Sequence, residues 1–115
     1  MRTDTNTEIK TERKVTELKK LNIFDVSKEV KEIASMECDR LNCDLVFICR
    51  QSTHPDDNFK YRVIGKKRNP LAEGMEFCTW VLNTSLGGFY EGKYDVSSFR
   101  AMELTVENLH DFSLR

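Results

Sequence analysis

Apolar residues recur along the chain at two spacings. Val26, Val30, Ile33, Ala34, Cys38 and Leu41 fall three or four apart, the period of a helix that buries one face. Lys28, Lys31, Glu32, Asp39 and Arg40 fall on the opposite side. Asp25 or Ser27 stands where an N-cap side chain would accept from first-turn amides, and Asn42 supplies a stop. The pattern then changes. DLVFICRQ (44–51), FKYRVIG (59–65) and MEFCTWVLN (75–83) are rich in β-branched and aromatic residues and predict strands.

Between the first two strands STHPDDN, with a proline and two aspartates, reads as a turn. A hairpin closed about it sets Arg50 opposite Arg62 and Ile48 opposite Ile64. Leu45, Phe47, Cys49, Phe59, Tyr61 and Val63 then share the face that packs on the helix. KKRNPLAEG is a basic, then turn-forming link. TSLGG breaks the chain after Asn83. FYEGKYDV reads as a short hairpin-like excursion around Gly92, and SSFRAMEL (97–104) as a further strand. Thr105 reads as the N-cap of a last short helix, 106–112. Upstream, residues 1–8 are polar and read as a disordered tail. Residues 9–21 carry both periods: Val15, Leu18 and Leu21 are helical in spacing, while Ile9, Thr11, Arg13 and Val15 alternate, and an extended arm or strand is preferred. Together these predict one α+β domain over 1–115, a mainly antiparallel sheet of four to five strands packed on one principal helix, with a short C-terminal helix.

Composition agrees with a small, well-solvated domain: 115 residues, 39% hydrophobic and 32% charged. No apolar run is long enough to span a bilayer, and MRTDTNTEIKTERK has no signal-peptide core. The expectation is a cytoplasmic protein (the host's cytoplasm if the chain is viral), with no membrane contact. Cys38, Cys43, Cys49 and Cys78 are then reduced thiols, at spacings that match no zinc motif, and no metal or cofactor is expected.

Charge is uneven. Residues 50–68 carry a balance of +4 and residues 69–114 one of −5, within a net charge of −1. A duplex-binding coat would show a general basic excess, so nucleic acid is not the expected partner and a small anion suits the chain better. Sequence signatures of catalysis are missing: no G-x-S-x-G, no Walker loop, no G-x-G-x-x-G after a strand, no H-E-x-x-H. Asp56-Asp57 and Gly87-Gly88 read as turns. The stronger signal is Arg50 and Arg62 projecting from one sheet face, where like charges opposite each other repel unless solvent or a bound anion intervenes. Guanidinium groups hold phosphate with a planar fork. Phe77, Trp80, Phe89, Tyr90 and Tyr94, with Asn83 among them, could supply a ring for a base and a group to read its edge.

Arg50 in ICRQ, Phe77 in MEFCTW, Asn83 in VLNTS and Arg100 in SSFRAME, with the chain length and the helix-then-sheet order, resemble the phage-encoded Thoeris anti-defence proteins of the cyclic-ADP-ribose sponge type. The resemblance covers most of the chain after residue 20. It implies a non-enzymatic α+β protein that sequesters a cyclic nucleotide or cyclic ADP-ribose-type immune signal and forms homo-oligomers. It also implies that Arg50 and Arg100 hold the pyrophosphate, that Phe77 stacks on adenine, and that Asn83 bonds a base or ribose edge. Nanomolar capture requires about 12 kcal/mol, which favours a pocket closed by a second subunit, with 97–115 or 9–21 exchanged across the interface. The competing readings are an inhibitor that binds a host protein, a small nucleic-acid-binding module using Lys60, Arg62 and 66–68, and a nucleotide hydrolase.

Overall fold

Ser27 opens the first helix, with its hydroxyl accepting from the Val30 amide at 3.3 Å. The computed structural model describes residues 22–54, 56 and 59–109. The expected tail, the arm at 9–21 and the chain beyond 109 lie outside them. Helix α1 (Lys28–Arg40) ends at Leu41, and Asn42 turns the chain with a φ of 59°. Asparagine tolerates that left-handed conformation better than most residues. α1 buries Ala34 and Cys38, while Ile33 and Leu41, expected in its apolar stripe, are exposed at its margins.

Strands β1 (Cys43–Arg50), β2 (Lys60–Lys67), β3 (Phe77–Asn83) and β4 (Gly88–Val96) form one antiparallel sheet in the order of the chain. This is the predicted α+β class. The helix α2 (Ser98–Glu107) follows β4, capped by the Ser97 hydroxyl accepting from the Arg100 amide at 3.1 Å.

Three local expectations are corrected. Of residues 97–104, all but the capping Ser97 are helix, not strand, because Ala101, Leu104 and Thr105 form a buried helical face. Thr105 is inside α2, its hydroxyl donating to the Ala101 carbonyl at 2.9 Å, rather than at a cap. FYEGKYDV is no separate hairpin; it pairs with β3 along its length, broken by two register shifts, with Glu91 and Asp95 at φ of 53° and 57°.

The β1–β2 register also differs from the expected one. Val46 is bulged out between Leu45, opposite Gly65, and Phe47, opposite Ile64. Arg50 therefore faces Tyr61, Cys49 faces Arg62, and Ile48 faces Val63. Side chains alternate along a strand, so this one-residue offset sends Phe47 and Cys49 to the face away from α1. Leu45 stays on α1's side, and Ile48 and Arg50, expected on the other face, join it there opposite Val63 and Tyr61.

The sheet is thus covered on both faces, which explains why β2 is buried almost end to end. Under α1 lie Tyr61, Val63, Cys78, Trp80 and Leu82, with Cys38 and Ala34 from the helix. Trp80 is fixed at three points. Phe89 stacks on it at 4.8 Å, its indole N–H donates to the Tyr94 hydroxyl at 3.0 Å, and Gly65 leaves it room: a Cβ there would sit 2.7 Å from the ring. On the opposite face α2 packs over β2 and β3. Arg68 ties α1 to the sheet, bonding Asp39 and Asp44.

Candidate functional site

The five residues singled out in the sequence separate into different environments. Arg50 lies on the α1 side, buried, and its guanidinium donates to the carbonyls of Ser52 and His54 at 3.4 and 3.1 Å. It holds the β1–β2 turn. Asn83, also buried, accepts from the Ser85 and Leu86 amides at 2.9 and 3.1 Å and so shapes the β3–β4 turn. Phe77 begins β3, half-buried, with the Lys66 ammonium 5.9 Å from its ring centre. Arg100 is exposed on α2 and pairs with Glu103 and Glu107 at 3.5 and 3.3 Å.

Arg50 and Arg100 do not converge. One is beneath the α1 side of the sheet and the other on the solvent side of a helix that covers the opposite face. The expectation of two guanidinium groups around one guest is corrected to that extent. Its physical cause is the Val46 bulge, which places Arg50 on α1's face, together with the helical state of 98–104.

Arg62 is different. It lies on the α2 face of the central strand β2 and is only 3% exposed. Its Nε is buried with no hydrogen-bond partner among the described residues. No carboxylate among the described residues comes within ion-pair distance of it. Burial pushes its guanidinium below the ordinary range, and the charge of Glu91 partly offsets this. The group nevertheless stays protonated at neutral pH. A buried donor left unmade costs about 1–3 kcal/mol.

That guanidinium lines a cavity of about 250 Å³ together with Glu91, Gly92, Lys93, Leu104 and Asn108. Two elements build it. The bulges of β4 swing Glu91, Gly92 and Lys93 round its rim, and the last turn of α2 roofs it with Leu104 and Asn108. Asn108 is held there by its amide donating to the Leu104 carbonyl at 2.7 Å. Val81 joins Arg62 to Tyr90 in one row across β2, β3 and β4, so a phenol ring stands two strands from the guanidinium on the same face. The Thr79 hydroxyl, on the next row, is also buried without a partner among the described residues.

The cavity can take an anionic group on Arg62 and Lys93. Glu91 is an acceptor for hydroxyl or amino groups of the same guest. Sequence reading found Arg62 but not Lys93, Glu91 or Asn108. The one visible signal was Lys93, one of two basic residues in an otherwise acidic stretch.

The thiols are elsewhere. Cys38 and Cys49 are fully buried, and burial pushes their pKa up to about 12 and about 11. Both are poor nucleophiles and poor metal ligands in that state. Among the described residues no group of histidine, cysteine and carboxylate side chains is placed to hold a metal, and no helix is long and apolar enough to cross a membrane. No family model, curated protein or solved structure matches this chain.

Proposed function

We propose that the chain is a non-catalytic binding protein that sequesters a small anionic nucleotide, with its phosphate on Arg62 and Lys93 in the cavity between α2 and β4. One observation carries the reading: a buried, charged side chain with an unmade hydrogen bond opens onto a cavity that also holds a second cation. Folding ordinarily pairs a buried guanidinium, and a phosphate in the cavity would supply the opposite charge that Arg62 lacks. Glu91 suits the hydroxyls of a ribose, and Tyr90 offers a ring on the same face. The cavity's lining among the described residues contains no thiol, imidazole or hydroxyl nucleophile, which favours capture over turnover.

A cyclic nucleotide or cyclic ADP-ribose-type signal is the ligand class that the resemblance implies. At about 250 Å³ the cavity is smaller than most ligand pockets, so it would seat the phosphate and sugar while the rest of the guest extends past β4.

The test is thermal unfolding against pyrophosphate, mononucleotides, ADP-ribose and cyclic nucleotides, with wild type beside Lys93→Ala. A ligand at a thousand times its Kd stabilises by about 4 kcal/mol. A shift in wild type that Lys93→Ala diminishes, with the ligand recovered intact from the heated complex, supports sequestration. No shift with any of them would sink it, and a chemically altered ligand would turn the reading to an enzyme.

A further inference from the structure

The outer side of α2 is apolar without a cover among the described residues. Ala101, Leu104 and Thr105 face the sheet, whereas Phe99, Met102 and Val106, on the opposite side of the helix, are 72%, 44% and 61% exposed. These three fall at the spacing of one helical stripe. With Glu103 and Glu107 they line a shallow recess of about 360 Å³. Isolated surface apolar residues need no explanation, but a stripe that forms a concavity does.

Beside the stripe runs a row of charge, Arg100, Glu103 and Glu107, positive toward the start of the helix and negative toward its end. That order is complementary to itself at its two ends in one arrangement, with two attractive pairs against a single Glu103–Glu103 approach at the centre. If a second α2 lies antiparallel on the stripe, the same flank of each helix meets the other's, and each Arg100 faces the opposing Glu107. A parallel pairing puts the two charged flanks on opposite sides of the seam, where no Arg100 meets a Glu107, and gains nothing. We infer that the partner of this surface is a second copy of the chain, packed α2 against antiparallel α2 about a two-fold axis near Glu103, with Phe99 of each copy entering the other's recess.

The arrangement is isologous, so two identical patches close on themselves and no third copy is recruited. A ten-residue helix is about 15 Å long, so α2 alone covers less than a standard interface of about 800 Å² per partner. The dimer is therefore a weak one, formed at micromolar concentration or above. It occupies the side of α2 away from the Arg62 cavity, and so stands or falls independently of ligand binding.

Sedimentation equilibrium of the full chain from about 1 to 500 µM tests the inference. Wild type is expected to pass from monomer to dimer across that range, and Met102→Asp to remain monomeric with an unchanged far-ultraviolet circular dichroism spectrum. Arg100→Glu and Glu107→Arg each place like charges across the axis twice and should weaken self-association about tenfold or more. Mixed one to one, the two variants bring the carboxylate introduced in one copy against the guanidinium introduced in the other. At the second contact the native Arg100 and Glu107 still meet, so attraction returns at both. A heterodimer that forms where neither variant self-associates is the decisive positive result. A wild type that stays monomeric at the highest concentration, a dimer indifferent to Met102→Asp, or a mixture no more associated than its components would each overturn the proposal. If Met102→Asp fails to fold, the mixing experiment decides alone.

Discussion

Replacing Arg62 by methionine should stabilise the free protein while removing its response to phosphate-bearing ligands. Methionine keeps the length and much of the apolar stem of arginine but brings no donor or charge. The unmade Nε bond in the buried site costs about 1–3 kcal/mol, which the substitution recovers. Two attractions are lost in exchange. The last turn of α2 ends over the cavity, and a cation at a helix C-terminus gains about 0.3–1 kcal/mol. Glu91 is exposed, and its attraction is worth no more than about 1 kcal/mol. The balance favours methionine by about 1 kcal/mol, or roughly 4–8 °C in Tm for a domain of this size. Urea and thermal unfolding in a buffer free of multivalent anions would measure it. Titration with pyrophosphate and ADP-ribose should then stabilise wild type, by about 2.7 kcal/mol at a hundred times the Kd, and leave Arg62→Met unmoved. A variant destabilised by about 2 kcal/mol or more would refute the reasoning. It would mean that Arg62 is held by the end of α2 as a structural cation, with no need of a guest.

Gly65→Ala should destabilise by about 1–3 kcal/mol, because its Cβ would meet the Trp80 ring at 2.7 Å and that ring is pinned by Phe89 and Tyr94; a Tm equal to wild type would show that the indole is free to move. Arg50→Ala should cost about 2 kcal/mol, since it leaves two turn carbonyls without their charged donor, whereas Arg100→Ala on the exposed face of α2 should change stability by under about 0.5 kcal/mol. Neither should alter the ligand response in the Arg62 cavity, and loss of that response in Arg100→Ala would relocate the site. Stability should fall at alkaline pH. Cys38 and Cys49 keep their protons to about pH 12 and about pH 11, while in the unfolded chain they ionise near the ordinary value of 9.0. The folded state therefore binds more protons above that value, and its advantage is complete below pH 9 and lost as pH rises through the folded values. Between about pH 9 and 11 the slope is near 1.4 kcal/mol per pH unit for each of these two thiols, with Cys43 and Cys78 shifted in the same direction, and Cys49→Ala should make the slope shallower. Denaturation midpoints that stay level from pH 8.5 to 10.5 would contradict the burial of these thiols.

Helix α1 and strands β1 to β3 were legible because local signals agreed there. Ser27 caps, Ala34 and Cys38 recur at helical spacing, and β-branched runs mark β1 to β3. Three features were not legible. The segment 97–104 alternates polar and apolar residues for a few positions, and short windows of that kind fit a strand as well as a helix. What decides is tertiary: Ala101, Leu104 and Thr105 have a sheet face to cover. The Val46 bulge had no marker either. It is not a glycine, and its neighbours Leu45 and Phe47 suit either face. Lys93 and Asn108 join the cavity only through β4 bulges and the end of α2, neither of which leaves a pattern in the sequence.

That single bulge decides the chemistry of both arginines. Were the pairing of Cys43 with Lys67 continued without a bulge, Arg50 would lie opposite Lys60 and on the face of Arg62, like charges that only solvent or a guest could separate. With Val46 extruded, the thickness of the sheet lies between them, and each meets a different environment. Arg50 is beside a loop rich in carbonyls and is satisfied by the chain itself. Arg62 enters the narrower layer under α2, where Thr79, Val81 and Leu104 offer no carboxylate and Glu91 stands off at the rim. A charge in that position lowers stability unless something outside the fold completes it. A residue that weakens the free protein in this way is more readily understood as part of a binding site than as part of the core, and so the cavity above Arg62, rather than the arginine pair visible in the sequence, carries the functional reading.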